Sequence, residues 1–184
     1  MIDKGQLRSE MRAHRKRLAG LDPQAAERAA SHIDALPPGD PVALYRAIGS
    51  ELDTDAMTLA LIRQGRSLCL PVVIQPDAPM IFRLWSPGEP LELDQAGVPA
   101  PLPLAGTVTP ALILTPLLAF DDQGGRLGQG GGYYDRTFAA LPEAIRIGFA
   151  YAGQQVDDLP IEGHDIRLHG VLTEVGYTAA RKVL

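Results

Sequence analysis

The sequence predicts an α/β fold in which helices cover both faces of an open, mainly parallel sheet. Short apolar runs of strand length, such as residues 111–120 and 145–151, alternate with segments of helical periodicity. This alternation is typical of parallel strands joined by helical crossovers. A chain of 184 residues with 46% hydrophobic side chains is also long enough to bury one compact core. We therefore expect a single domain over residues 1–184.

Two helices are predicted before the first strand. Asp3 can cap the first helix, which ends at Gly20 and carries an apolar seam formed by Leu7, Met11, His14 and Leu18. The second helix opens at residues 22–23, Asp-Pro, in the favoured order of cap and then proline, and runs to about Ala35. Residues 42–45 are predicted to form the first strand.

The middle of the chain continues the alternation. Asp53 or Thr54 can cap a third helix, because both side chains accept hydrogen bonds from free backbone N–H groups. Strands are predicted over residues 67–73 and 80–85. Residues 87–106 hold many of the 16 prolines and are expected to form a long loop with about one turn of helix.

The last third of the chain is predicted to complete the sheet. The apolar run 111–120 has the length and flanks of a buried strand. A helix is expected from about Gly132 to Ala140, a strand over residues 145–151, and a last strand over residues 170–175.

The composition excludes several classes of function. The net charge of −5 argues against a general nucleic-acid-binding protein. No apolar stretch approaches the ~20 residues that a membrane span requires, and no apolar segment follows the basic N-terminus to form a secretory signal. Cys69 is the single cysteine, which fits a reducing cytoplasm. Cys69 and Trp85 both lie in strand-like runs, so we expect them to pack in the core.

The N-terminal helix is unusually basic for an acidic protein. Lys4 and Arg8 stand one helical turn apart beside the apolar seam. The remaining basic residues do not all fit on that face, and we expect a solvated surface formed by Arg12, Arg15, Lys16 and Arg17.

A glycine-rich turn provides the clearest functional signal. Residues 124–136 read GGRLGQGGGYYDR, directly after a predicted strand and at the opening of a predicted helix. This layout aims several backbone N–H groups at one anion, and glycine permits the close approach of backbone and ligand. Arg126 can add a fork of donors to phosphate, and Asp135 offers a hard oxygen to Mg²⁺. The segment fits neither the Walker nor the dinucleotide-binding pattern, and a flexible surface loop is the alternative.

The glycine segment resembles the signature of the 5-formyltetrahydrofolate cyclo-ligase family, also called methenyltetrahydrofolate synthetases. That signature is an aromatic residue and aspartate after a strand, a short turn, and then R-L-G-x-G-x-G-Y-Y-D. Phe120, Asp121, Gly124 and residues 126–135 match it in order and spacing. Weaker matches extend the resemblance along nearly the whole chain, at Lys4, Arg8, residues 51–54, residues 70–71 and residues 164–165. The resemblance implies a fold similar to ribose-phosphate isomerases and CoA transferases.

The resemblance also implies a reaction. Members close 5-formyltetrahydrofolate to 5,10-methenyltetrahydrofolate at the expense of ATP, because a formamide oxygen leaves poorly until it has been phosphorylated. Arg126 and Tyr133 would be the catalytic residues. ATP would contact Lys4, Arg8, Arg126, Leu127, Gly128, Gln129, Gly130, Gly131, Gly132, Tyr133 and Tyr134.

Folate and metal sites are implied as well. The substrate would contact Glu51, Gln129, Gly130, Gly131, Gly132 and Tyr133. The Glu51 carboxylate can accept paired hydrogen bonds from the amino-pyrimidine edge of a pterin, although its local pattern alone suggests a charge at a helix entry. Asp135 and Asp165 would bind Mg²⁺, whereas His164 and His169 are expected to be structural or solvent-facing.

Two other classes of function stay open. One is a non-folate enzyme on the same scaffold, of the phosphosugar isomerase or CoA transferase type. The other is an RNA-binding module that uses the basic first helix, which the acidic net charge disfavours. The partners expected are therefore a reduced folate and ATP, with no nucleic acid and no membrane. The sequence does not fix the oligomeric state, and a monomer is slightly favoured.

Overall fold

The computed structural model describes residues 4–160 and 162–181. Its strands are β1 Val42–Ala43, β2 Leu68–Val72, β3 Ile81–Leu84, β4 Leu91–Leu93, β5 Pro99–Pro101, β6 Thr107–Val108, β7 Leu112–Thr115, β8 Ala119–Phe120, β9 Arg126–Leu127, β10 Ile145–Phe149, β11 Gly170–Thr173 and β12 Gly176–Ala179. Its helices are α1 Lys4–Leu21, α2 Ala25–Ser31, α3 Asp55–Arg63 and α4 Tyr133–Ala140, with 3₁₀ turns at Ile33–Ala35 and Ala152–Gln154. The predicted cap Asp3 lies outside the described residues.

One eight-stranded sheet organises the molecule, in the order β12-β11-β10-β7-β1-β2-β3-β6. The central strands β11, β10, β7, β1 and β2 run parallel, and the flanking strands β12, β3 and β6 pair antiparallel. The prediction of an open, mainly parallel sheet is therefore confirmed. Two small antiparallel pairs, β4–β5 and β8–β9, lie beside the main sheet.

Helices cover both faces of the sheet, as predicted. Successive residues of β7 point to opposite faces, because side chains alternate along a strand. Leu112 and Leu114 pack with Met57 of α3 on one face, whereas Ile113 packs with Phe138 of α4 on the other. All five side chains are buried.

Four sequence-based expectations about elements were wrong. Residues 87–106 form the antiparallel hairpin β4–β5 rather than a loop with a helical turn. The run 111–120 is split into β7 and β8 by Pro116, since proline cannot donate to the sheet ladder. Residues 33–35 form a 3₁₀ turn beyond the end of α2. The strand at 170–175 is followed by one more strand, β12, after a turn that ends at Gly176.

Cys69 and Trp85 pack in the core, as predicted. Both are buried, and burial raises the pKa of the Cys69 thiol to about 12. Among the described residues, no helix has the length and apolar character needed to cross a membrane.

Candidate active site

A cleft of ≈ 260 Å³ opens where the parallel strands end. Its walls come from the segments that follow β1, β2 and β7, which is the edge where ligands bind in open α/β sheets. Every site residue predicted from the sequence lines this one cleft: Lys4, Arg8, Glu51, residues 126–135 and Asp165. The structure thus brings together residues from both ends and the middle of the chain, while their individual roles stay predictions.

The glycine turn lies along one side of the cleft, between β9 and α4. Gly130 and Gly132 have φ angles of 106° and 67°, which residues with a side chain rarely adopt. At Gly131 a Cβ would come within 2.9 Å of the Tyr133 ring. Among the described residues, the N–H groups of Gly128–Gly132 donate no hydrogen bond to the protein. The turn therefore offers a row of backbone donors to a ligand.

Asp121 fixes the entrance to this turn. Its Oδ1 accepts hydrogen bonds from the N–H groups of Gln123 and Gly125, at 2.9 and 2.7 Å. Gly125 has no room for a side chain, because a Cβ there would collide with the Asp121 carboxylate. Asp121 therefore shapes the turn that leads into Arg126.

Arg126 lies at the start of the glycine turn and is almost fully buried. Its Nη2 lies 2.7 Å from Asp135 Oδ1, and its guanidinium lies 5.2 Å from the centre of the Phe138 ring. Among the residues that the structure describes, its Nε has no hydrogen-bond partner, although the atom is buried. A buried donor without a partner is costly, so Arg126 retains donor capacity for an anionic ligand in the cleft.

The first helix reaches the cleft through Lys4 and Arg8. Lys4 Nζ lies 2.9 Å from Asp165 Oδ2 and 3.1 Å from Glu162 Oε1. Arg8 Nε donates a hydrogen bond of 3.1 Å to the carbonyl of Gly128. The helix therefore contacts both the glycine turn and the loop that precedes β11, and it sets two cations beside the turn.

The two predicted metal ligands belong to neighbouring segments. Asp135 Oδ1 accepts a hydrogen bond of 3.1 Å from the N–H of Ile166, which directly follows Asp165. Although burial alone would raise the pKa of Asp165, the Glu162 N–H and Lys4 outweigh it and hold that pKa below its usual range. Glu162, His164 and Asp165 offer oxygen and nitrogen atoms within 4.8 Å of one another. His164 faces solvent, as expected.

Glu51 lies in the turn after β1, on the floor of the cleft. Its Oε2 accepts a hydrogen bond of 2.9 Å from the Ile48 N–H, and its Oε1 lies 3.7 Å from Arg15 Nη1. Burial raises the pKa of Glu51, and the Ile48 N–H and Arg15 oppose this shift. The side chain is 10% exposed, so a ligand has access to the carboxylate from the cleft.

Tyr133 and Tyr134 have different surroundings at the start of α4. The Tyr133 ring faces the Arg136 guanidinium at 5.1 Å and remains partly exposed. Tyr134 packs against Phe138 with ring centres 5.8 Å apart, and burial raises the pKa of its hydroxyl. Tyr133 is therefore the more accessible of the two for contact with a substrate.

The prediction of a solvated surface formed by Arg12, Arg15, Lys16 and Arg17 was wrong at one position. Arg15 is only 4% exposed, and its Nη1 donates a hydrogen bond of 3.1 Å to the carbonyl of Leu117. The helical period places Arg15 one turn after Met11, on the face of α1 that packs against β8 and β9, a signal that the sequence contained. Arg12 is exposed but donates to Gln129 Oε1 at 2.8 Å.

The hairpin β4–β5 supplies a wall of the cleft that the sequence did not indicate. Ala96, Val98 and Pro99 line the cleft opposite the glycine turn. Asp94 holds this wall to the sheet, because its Oδ2 accepts a hydrogen bond of 2.8 Å from the N–H of Val73. The wall is largely apolar and suits a flat, partly apolar ligand.

Comparison with known proteins agrees with this geometry. The model of the 5-formyltetrahydrofolate cyclo-ligase family matches residues 1–174. The 5-formyltetrahydrofolate cyclo-ligase of Haemophilus influenzae is 34% identical over 179 residues, covering 91% of this chain and 95% of that protein. The protein of the same name from Escherichia coli is 32% identical over 173 residues, covering 86% and 95%.

A solved structure extends the similarity to the fold. The NMR structure of Aquifex aeolicus 5,10-methenyltetrahydrofolate synthetase matches with a TM-score of 0.82 at 28% identity, over 98% of this chain and 94% of that one. The match includes the segments that build the cleft. With both the sequence and the fold in agreement, this chain belongs to the 5-formyltetrahydrofolate cyclo-ligase family.

Proposed function

We propose that this protein uses ATP to close 5-formyltetrahydrofolate to 5,10-methenyltetrahydrofolate, releasing ADP and phosphate. The observation that carries the proposal is that a glycine turn, Arg126 and Glu51 all line the same cleft at the ends of the parallel strands. One side offers donors to a triphosphate, and the other offers a carboxylate to a pterin. The relatives compared above are all named as cyclo-ligases or synthetases, so the isomerase, CoA transferase and RNA-binding alternatives gain no support.

The reaction requires two bond exchanges. The formyl oxygen attacks the γ-phosphorus of ATP, so that one O–P bond forms while the bond to ADP breaks. N10 then attacks the formyl carbon and loses its proton to solvent, the ring closes, and the phosphorylated oxygen leaves as phosphate. Phosphoryl transfer depends on positioning and on neutralising charge more than on acid–base catalysis.

Three groups of donors in the cleft meet that requirement. The backbone N–H groups of Gly128–Gly132 can bind phosphate oxygens without a side chain in the way. Arg126 adds an unused Nε, and Lys4 and Arg8 approach from α1. Lys4 and Arg126 are largely buried, so their charges act more strongly on a transferring phosphoryl group than exposed charges would.

The Glu51 carboxylate would orient the folate. An ionised carboxylate can accept two parallel hydrogen bonds from the 2-amino and ring N–H groups of a pterin. Glu51 uses one oxygen for the Ile48 N–H, and lone pairs of both oxygens remain for the ligand. Tyr133, on the opposite side, would stack on or contact the formyl-bearing ring.

Asp135 and Asp165 suit Mg²⁺, because both are carboxylates on adjacent segments of the cleft and hard cations prefer oxygen ligands. Both carboxylates already pair with a cation, Arg126 and Lys4 respectively, so a bound Mg²⁺ would share or replace these contacts. A bound Mg²⁺ would supply charge neutralisation for the phosphates of ATP. The protein's own part is to hold these two carboxylates and to keep Arg126 and Lys4 directed at the same region.

The proposal is tested by following the absorbance of the methenyl product with purified protein and 5-formyltetrahydrofolate. We expect product only when ATP and Mg²⁺ are both present. Absence of product with every component present, or full-rate formation without nucleotide, would overturn the proposal. Titration of the folate alone by calorimetry shows whether a negative result reflects lost binding or lost chemistry.

A further inference from the structure

Arg15 is a buried cation for which the proposed reaction has no assigned use. It lies on α1, yet its side chain extends inward to the cleft floor and is 4% exposed. Within the structure's described residues its partners are the Ser50 hydroxyl, the Leu117 carbonyl and Glu51. Burying a guanidinium is expensive unless its hydrogen bonds are satisfied, so this position demands an explanation.

The contacts of Arg15 tie three segments together around Glu51. Its Nε donates to Ser50 Oγ at 3.2 Å, directly beside Glu51 in sequence. Its Nη1 donates to the carbonyl of Leu117 at 3.1 Å and lies 3.7 Å from Glu51 Oε1. The planar guanidinium therefore spans the turn after β1 and the turn after β7, and both turns line the cleft.

Glu51 needs such support, because a buried carboxylate is poorly solvated. The Ile48 N–H binds Oε2 from the same turn and defines one end of the carboxylate. Arg15 approaches the other oxygen, Oε1, from a different element. With both oxygens constrained, the carboxylate plane has a fixed orientation toward the cleft, and preorganised acceptors bind a planar donor pair more tightly than mobile ones.

We infer that Arg15 is a positioning residue for folate: it fixes the orientation and the negative charge of the Glu51 carboxylate that binds the pterin. The inference rests on the proposed function, because Glu51 must bind the folate for Arg15 to act through it. Arg15 does not touch the substrate and acts on it only by orienting Glu51. It has no part in binding ATP.

A double-mutant cycle tests the coupling. The dissociation constant of 5-formyltetrahydrofolate is measured by calorimetry for the wild type, Arg15→Met, Glu51→Gln and the double variant. We expect Arg15→Met to weaken folate binding about tenfold, because Glu51 loses a cation at 3.7 Å and the hydrogen bonds to Ser50 and Leu117 that hold this cation in place are lost. In the Glu51→Gln background, Arg15→Met should change the dissociation constant by less than roughly threefold, because the carboxylate that Arg15 orients is absent.

Controls separate positioning from general packing. Arg17→Met alters an exposed arginine of the same helix, whose hydrogen bond is to His14 within α1, and should leave folate binding unchanged. Arg15→Met should leave the KM for ATP within about twofold of the wild type. Equal losses for folate and ATP, or the same fold-change with and without Glu51, would overturn the inference.

A pH profile adds a readout that packing alone would not move. The groups that face Glu51 are Arg15 from α1, Tyr45 from the end of β1 and Tyr134 from α4. Both tyrosines are neutral near pH 7, since the ordinary pKa of tyrosine is about 10 and burial raises both pKa values further. Removing Arg15 raises the pKa of Glu51 further, so the loss of folate affinity on acidification should begin at a higher pH in Arg15→Met. An unchanged profile contradicts the inference.

The conservative variant Arg15→Lys provides a second test that still applies if Arg15→Met does not fold. Lysine keeps the charge but cannot reach Ser50 and Leu117 with one planar group. We expect a severalfold loss of folate affinity that again disappears in the Glu51→Gln background, while an additive loss would overturn the inference. Failure of the wild type to bind folate at all would instead refute the proposed function itself, which is a distinct result.

Discussion

At the scale of single residues, the cleft is built from charged groups that contact one another. Arg126 pairs with Asp135, Lys4 with Asp165 and Arg15 with Glu51. Each pair reduces the free-energy cost of burying its two charges, since an unpaired buried charge is strongly destabilising. The same pairs fix the positions of the side chains before a substrate arrives, so little reorganisation is required on binding.

Asp135→Asn should lower turnover far more than stability. Asparagine keeps one oxygen for Arg126 and for the Ile166 N–H but loses the charge that would recruit Mg²⁺. A carboxylate beside ATP phosphates is tolerable when a cation lies between them, because like charges in one site repel. We expect a loss of turnover of about a hundredfold or more, with a loss of about 1.5–3 kcal/mol in the free energy of unfolding, because Arg126 keeps an acceptor but loses its counter-charge.

A Mg²⁺ titration of turnover, together with thermal unfolding, measures both quantities. Asp122→Asn is the matched control, since Asp122 also pairs with an arginine, Arg181 at 3.1 Å, but does not line the cleft. Wild-type turnover and Mg²⁺ dependence in Asp135→Asn, with only a lower melting temperature, would show that Asp135 merely stabilises the start of α4.

Cys69 should be inert in the folded protein. Its side chain is fully buried in β2, and burial raises the pKa of its thiol to about 12, so very little reactive thiolate exists near pH 8. We expect no reaction with a thiol reagent under native conditions and one equivalent after denaturation. Rapid native labelling would mean that β2 opens to solvent far more readily than a central strand should.

At the scale of elements, the pattern of hydrophobic residues predicted the central strands of the sheet but not the short outer strands. The runs at β2 and β7 are apolar on both faces, which identifies buried central strands. The strands β4, β5, β6 and β12 are short and partly exposed, and they contain proline or polar residues that also suit loops. Their pairing depends on contacts distant in sequence, which local pattern does not report.

The same limit of local sequence pattern explains which parts of the candidate site were predicted and which were missed. The glycine turn could be identified because backbone geometry restricts which residues can occupy it, as at Gly130 and Gly132. Arg15 was misassigned because its charge was taken as a sign of exposure, although it lies one helical turn after the buried Met11. The apolar wall of the hairpin β4–β5 was missed for the related reason that the hairpin itself was not predicted.

We expect the first helix to contribute to ATP binding without being required for the folding of the sheet. Lys4 and Arg8 contact the cleft from α1, whereas the two main core clusters are centred on the sheet and on α2, α3 and α4. In the full chain, replacing both with alanine should leave a folded protein whose KM for ATP rises roughly ten- to a hundredfold, because charged contacts to phosphate are lost.

Steady-state kinetics with varied ATP and varied folate check this expectation. The control replaces Lys16 and Arg17, two exposed basic residues of the same helix, so that net charge falls equally. An unchanged KM for ATP in the Lys4/Arg8 variant would assign α1 to packing alone, and an equal rise in the control would indicate a general effect of charge.

At the scale of the whole molecule, the fold makes one cleft from distant parts of the chain. Parallel strands end at the same edge of a sheet, so the turns after β1, β2 and β7 converge there. The first helix and the loop before β11 close the site from outside, joined by the Lys4–Asp165 pair. A donor-rich side and a carboxylate-bearing side thus face the same space, which favours direct reaction between two substrates over separate sites.

That arrangement predicts strict coupling between ATP consumption and ring closure. If the γ-phosphoryl group is transferred to the formyl oxygen within the cleft, each methenyl product formed should release one ADP and one phosphate. ADP is measured by a coupled enzyme assay and the product by its absorbance in the same sample. With no folate present, hydrolysis should be slow, because the acceptor oxygen is missing and the cleft walls restrict water. Rapid folate-independent hydrolysis, or more than one ADP for each ring closed, would mean that ATP binding serves a conformational step rather than activation of the formyl oxygen.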